Sequence, residues 1–135
     1  MQDDYERDTS FHFNERLDRD FLQMVYEGDL SYAGDIFEIF LAHSINEMDE
    51  LGSAIENQDW EATRRISHKL KPNFSMVGLP QLEQKMGQIE MCANLQNNVE
   101  IIAGIYENLK SSLTTFIPVL KEDLERIRHV KTNLV

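Results

Sequence analysis

Beyond residue 13 the apolar residues recur every three or four positions along nearly the whole chain, the spacing that lines up one face of an α-helix. The pattern predicts five helices. The first covers 14–27, with Leu17, Phe21 and Met24 on one face, Asn14 as its N-cap and Gly28 as its stop. The second covers 31–57 and carries the stripe Phe37, Phe40, Ser44, Met48, Leu51 and Ile55. The third starts at the capping residue Asp59 and runs to about Val77, where Gly78 offers a left-handed C-cap. The fourth covers 79–95, with Pro80 in its first turn, where no N–H donor is needed, and with Leu82, Met86, Ile89 and Ala93 inward. Asn97 and Asn98 are the next capping candidates. The last covers 99–128 with Ile102, Ile105, Leu109, Leu113, Phe116, Leu120, Leu124 and Ile127. Its stripe stays in register past Pro118, which predicts a kink and not a break.

Helices joined by connections of a few residues pack as antiparallel neighbours. The expected fold is therefore all-α: an up-and-down antiparallel four-helix bundle with an additional N-terminal helix. The division is a flexible leader at 1–13, on which Phe11 and Phe13 are placed to pin it to the bundle, a helical bundle at 14–130 and a tail at 131–135. A chain of 135 residues suits one domain with one core. There is no internal repeat.

Charge narrows the functions. The chain holds 24 acidic and 13 basic residues, a net charge of -11, which argues against nucleic acid and against an anionic membrane surface as partners. No apolar stretch approaches the length of a membrane span, and the acidic start does not resemble a signal peptide. The single cysteine, Cys92, allows no internal disulfide and fits a cytoplasmic protein. None of the four histidines follows a Glu at the spacing of carboxylate-bridged di-metal bundles, so no metal site is expected.

Against this acidity one segment reverses sign. Arg64, Arg65, Lys69 and Lys71 place four of the 13 basic residues within eight positions. At about 100° per residue, Ile66, Leu70, Asn73 and Val77 fall on the inward side, with Ala62 and Phe74 at its edges. His68 falls opposite, near the middle of the solvent face, and Arg64, Lys71 and Ser75 share its side. A surface histidine is usually only solvated. His12, His43 and His129 lack such framing and take that reading, as does Lys69, which points to one side. At His68 the surroundings suit chemistry. A neutral imidazole, with an ordinary pKa of about 6.5, has a lone pair that can accept a phosphoryl group without a general base, and nearby cations can offset the arriving charge.

The run His68-Lys69-Leu70-Lys71, with Gly78 ten residues after the histidine, resembles the core of histidine phosphotransfer (HPt) domains. So do Asp59-Trp60-Glu61-Ala62 ahead of it and Leu82 followed by Ile89-Glu90 after it; the likeness spans about 17–124. The resemblance implies that His68 is the phosphoacceptor and that Lys71 lies beside the phosphate. Glu90 falls where some members carry a glutamine that hydrogen-bonds the histidine, and it could orient the ring in the same way. Arg64, Lys69, Pro72 and Ser75 would border the docking surface. The chain departs from the pattern at Pro72, where the family has a small residue, and at Asn73-Phe74. Pro72 cannot donate an N–H and crowds the His68 carbonyl, so a bend just after the site is expected.

The implied function is a phosphoryl carrier in a phosphorelay. It would accept phosphate from a receiver-domain aspartyl-phosphate and pass it to another receiver. Response-regulator receiver domains or a hybrid histidine kinase are the partners, and a monomer is expected. One bundle leaves no room for an ATP-binding region and no Gly-rich phosphate loop is present. The chain should therefore be no autokinase and need no cofactor, Mg²⁺ belonging only to the receiver. The competing reading is a non-catalytic helical protein–protein interaction module.

Overall fold

Aspartates open three of the helices. Asp18, Asp29 and Asp59 each accept the backbone N–H three residues on, from Phe21, Tyr32 and Ala62, which satisfies a donor that the first helical turn leaves free. The computed structural model, which describes residues 11–95 and 99–134, has helices α1 (Arg19–Tyr26), α2 (Leu30–Glu56), α3 (Trp60–Ser75), α4 (Pro80–Leu95) and α5 (Val99–Leu134). There are no strands among the described residues.

Helix α2 packs on α3 and α5, and α4 packs on α3 and α5, while the diagonal pairs stay apart. With links of a few residues this is an up-and-down four-helix bundle, and α1 adds the extra N-terminal helix. The expected stripe of α2 is buried throughout, and so is that of α4. Phe37, Leu51, Leu70, Phe74, Met86, Ile89, Ile102, Leu109 and Leu120 are fully buried. Each such side chain contributes about 1.5–3 kcal/mol relative to exposure. Helix α5 passes Pro118 without a break and runs beyond the expected end at Arg128, to Leu134. Asn97 and Asn98 lie outside the described residues.

The structure corrects the first helix. It begins at Arg19 with Asp18 as its N-cap, not at Asn14. Asn14 instead closes a turn: its side chain accepts from Arg16 N–H and its carbonyl from Leu17 N–H. The buried residues of α1 are Leu22 and Tyr26, whereas Phe21 is half-buried and Met24 is exposed. Leu17 lies before the helix and does not set its phase, so the three-and-four spacing that led from Leu17 to Phe21 and Met24 followed the wrong face.

The N-terminal segment is tied into the bundle at two places. Asp123, buried on α5, accepts Asn14 N–H at 2.8 Å and pairs with Arg126 at 2.6 Å. Arg126 also donates to the His12 carbonyl and lies over the Phe11 ring, and Phe13 is buried against Phe37 and Tyr26. At the other place, Asp18 N–H donates to the Gly78 carbonyl and Tyr26 Oη to the Met76 carbonyl. Gly78 sits at φ +81°, and a Cβ there would stand 2.8 Å from Leu22 and 2.9 Å from Leu17. Only glycine meets both the left-handed backbone and the close approach of the α1 segment.

Candidate functional site

The solvent side of α3 follows from what its inner side buries. Thr63, Ile66, Ser67, Leu70 and Phe74 are the buried residues. This corrects the expected inner face, on which Asn73 stood: Asn73 is exposed, and the buried seam is shifted toward Thr63 and Ser67. Their hydroxyls are satisfied within the helix, Thr63 by the Asp59 carbonyl at 2.8 Å and Ser67 by that of Thr63 at 2.7 Å. Small, internally bonded side chains of this kind can line a packed interface without stranding a polar atom.

His68 then projects outward with its side chain 70% exposed. Its Nδ1 lies 2.7 Å from Glu90 Oε2 on α4. Lys71, one turn further along α3, donates to the other carboxylate oxygen, Oε1, at 3.1 Å. Glu90, only 17% exposed, therefore bridges the histidine and the lysine. Burial by itself pushes the Glu90 carboxyl up, but the hydrogen bonds from Lys71 and His68, with the charges behind them, outweigh it and hold the group below the ordinary carboxylate range. Glu90 is thus ionised at neutral pH, and a carboxylate can only accept. Nδ1 must carry the proton and donate it, which leaves the lone pair of the neutral ring on Nε2. Gly87, one turn before Glu90, keeps this surface low: a Cβ there would stand 3.5 Å from Lys71 Cδ.

The remaining expected residues divide. Arg64 is exposed one turn before His68, and Pro72 is exposed one turn after it, within a helix that continues to Ser75. Lys69 is not merely solvated, as expected, but pairs with Glu47 on α2 at 3.4 Å. Ser75 is half-buried, and its hydroxyl is engaged by Glu83 at 2.5 Å and by the Pro72 carbonyl at 3.1 Å. Glu47 and Glu83 were not legible in the sequence as members of this surface. Each is one of many acidic residues on its helix, and no local spacing ties either to α3. Lys69 and Lys71 thus reach to opposite sides, one to α2 and one to α4, and leave His68 on the ridge between them.

The fold and site define an all-α bundle in which an exposed histidine, His68, is anchored by a carboxylate and flanked by a lysine. The family profile of the Hpt domain matches residues 35–130, most of the chain, and the protein belongs to the histidine phosphotransfer family. The role of that family is phosphotransfer in two-component phosphorelays. No curated protein and no solved structure gives a match. Among the described residues no helix is long and apolar enough to cross a membrane.

Proposed function

We propose that this chain is a phosphoryl carrier whose acceptor atom is His68 Nε2. The observation that carries this reading is the bond from Nδ1 to Glu90, which orients an exposed ring and leaves its other nitrogen with the lone pair. In the transfer Nε2 attacks the phosphorus of a receiver aspartyl-phosphate. The N–P bond forms, the P–O bond to the aspartate breaks, and the carboxylate leaves. The Nδ1 proton stays between His68 and Glu90, so the positive charge that develops on the ring faces a carboxylate. Lys71 is placed to offset the charge of the incoming phosphoryl group. The reverse step hands the group to a second receiver.

Catalysis is shared with the receiver, which supplies the Mg²⁺. This chain holds no cofactor and has no autokinase activity. Receiver domains, free or within a hybrid kinase, are its partners, and it acts as a monomer in the cytoplasm. Incubation with a phosphorylated receiver domain tests the assignment. One acid-labile phosphate per chain is expected on His68, His68→Gln should abolish labelling while leaving helicity intact, and ATP alone should label nothing. Labelling retained in His68→Gln would refute it.

A further inference from the structure

Helices α3 and α4 pack along one seam, and the site occupies only one end of it. Ser75 stands two turns after His68 on α3, and Glu83 stands two turns before Glu90 on α4. Because the helices are antiparallel, the two pairs are matched rungs. His68 Nδ1 meets Glu90 Oε2 at 2.7 Å, and Ser75 Oγ meets Glu83 Oε2 at 2.5 Å. Between them the Lys71 stem passes Gly87, where a Cβ would stand 3.5 Å from Lys71 Cδ.

Ser75 and Glu83 are both half-buried. The Ser75 hydroxyl has one proton and two oxygens in reach, Glu83 Oε2 at 2.5 Å and the Pro72 carbonyl at 3.1 Å. The nearer, carboxylate oxygen takes it, and hydrogen bonds to a carboxylate are the short and strong ones. Among the described residues the Glu83 side chain has no other hydrogen-bond or ion-pair partner. Glu83 lies in the first turn of α4, where the helix dipole also favours an acid, but that effect needs only the charge and not Ser75.

Pro72 makes this bond matter to the site. A proline has no N–H to give the His68 carbonyl, so the backbone ladder lacks a rung between the turn of His68 and the last turn of α3. That last turn carries Ser75, and its bond to α4 fastens what the backbone leaves loose. Glu90 must reach two atoms at once, His68 Nδ1 at 2.7 Å and Lys71 Nζ at 3.1 Å. Hydrogen bonds weaken steeply as their geometry departs from the optimum, so a small slide of α4 along α3 would break one of the two.

We infer that Ser75 and Glu83 are positioning residues: their bond locks the register of α3 against α4 and thereby holds Glu90 on Nδ1 of His68. The consequence for phosphotransfer rests on the proposed acceptor role of His68.

The test reads the His68 ring by nitrogen NMR, and transfer from a phosphorylated receiver, on the same variants. In the wild type the ring proton should sit on Nδ1. Ser75→Ala and Glu83→Ala should each raise the Nε2–H tautomer and slow the transfer step severalfold, with receiver affinity and helicity little changed. Ser75→Thr, which keeps the hydroxyl, and Glu83→Gln, which keeps an acceptor but not the charge, should hold the wild-type tautomer. In a Glu90→Ala background Ser75→Ala should cost nothing further, since no carboxylate is left to position. With Pro72→Ala, which returns the backbone N–H, its cost should shrink. A wild-type tautomer in both Ser75→Ala and Glu83→Ala overturns the proposal. So does a loss of transfer that is undiminished in the Glu90→Ala background, because the bond would then act on the stability of α3 alone. The tautomer is read without phosphate, so a wrong phosphoacceptor would leave that result standing.

Discussion

At the residue scale the site depends on one carboxylate with two oxygens. Glu90 takes the Nδ1 proton side of His68 with one and Lys71 with the other, so ring orientation and lysine position are coupled. Lys71→Ala should slow transfer from a phosphorylated receiver on the order of tenfold, because a positioned cation acts on charge that develops in the transition state. Arg64→Ala should cost less, and its effect should fade with added salt, as expected for a solvated charge acting on the encounter. Equal, salt-independent losses would reverse these assignments. Glu90 also carries a pH signature. Its folded-state pKa lies below the ordinary value of 4.5, so the ionised form is favoured by folding. The stabilisation is complete above that value and is lost as pH falls through the lowered one. The melting temperature of the wild type should therefore exceed that of Glu90→Gln at neutral pH, and the gap should close on acidification. A gap that does not narrow as the pH falls below the ordinary carboxylate range would place its origin elsewhere.

At the element scale α3 carries a proline where a helix is usually regular. The expected effect is local: Pro72 removes the bond to the His68 carbonyl, yet the helix continues through it to Ser75. Proline costs up to about 3 kcal/mol relative to alanine in a helix interior, and a position in the last turn should recover only part of this. Pro72→Ala and Pro72→Arg should both raise the melting temperature. Pro72→Arg should nevertheless slow phosphotransfer severalfold, since the residue is exposed on the His68 ridge and a long side chain there obstructs a partner. Full-speed transfer to Pro72→Arg would remove Pro72 from the docking surface. The pattern of α2 and α4 was legible because each presents one continuous buried stripe. That of α1 was not. Its cap, Asp18, stands beside several equally suitable polar residues, and the inward face depends on where the helix begins.

At the scale of the whole molecule, the bundle separates the site from one of the two fastenings of the N-terminal segment, the one at Asp123. His68 stands on α3, while Asp123 lies on α5, the helix diagonally opposite. Asp123 is buried, holds Asn14 N–H and Arg126, and through them the segment that buries Phe13. Removing one partner of a buried ionic contact costs about 3–5 kcal/mol; here Arg126 remains partly solvated, so Asp123→Ala should fall at the low end of that range. The Asn14 amide should lose protection from hydrogen exchange, and the melting temperature should drop. Transfer to His68 at a temperature where the variant is folded should be unchanged. A variant that loses transfer in step with amide protection would mean that this fastening and the site are coupled.

The sequence alone determined the helical class, the stripes of α2, α4 and α5, and the exposure of His68 among cations. These are properties of local periodicity and of residue type, which a helix converts directly into faces. Gly78 belongs with them, because a left-handed position selects glycine within its own turn. Glu90 was legible only through resemblance to a family, since it lies 22 residues from His68. Tertiary structure decided the rest: that Glu90 bridges His68 and Lys71, that Lys69 reaches Glu47, that Asn73 faces outward, and that the Ser44 hydroxyl is buried without a hydrogen-bond partner. Each of these depends on the distance and rotation between packed helices. That relation is set by side-chain interdigitation across the core, and no spacing along a single helix encodes it.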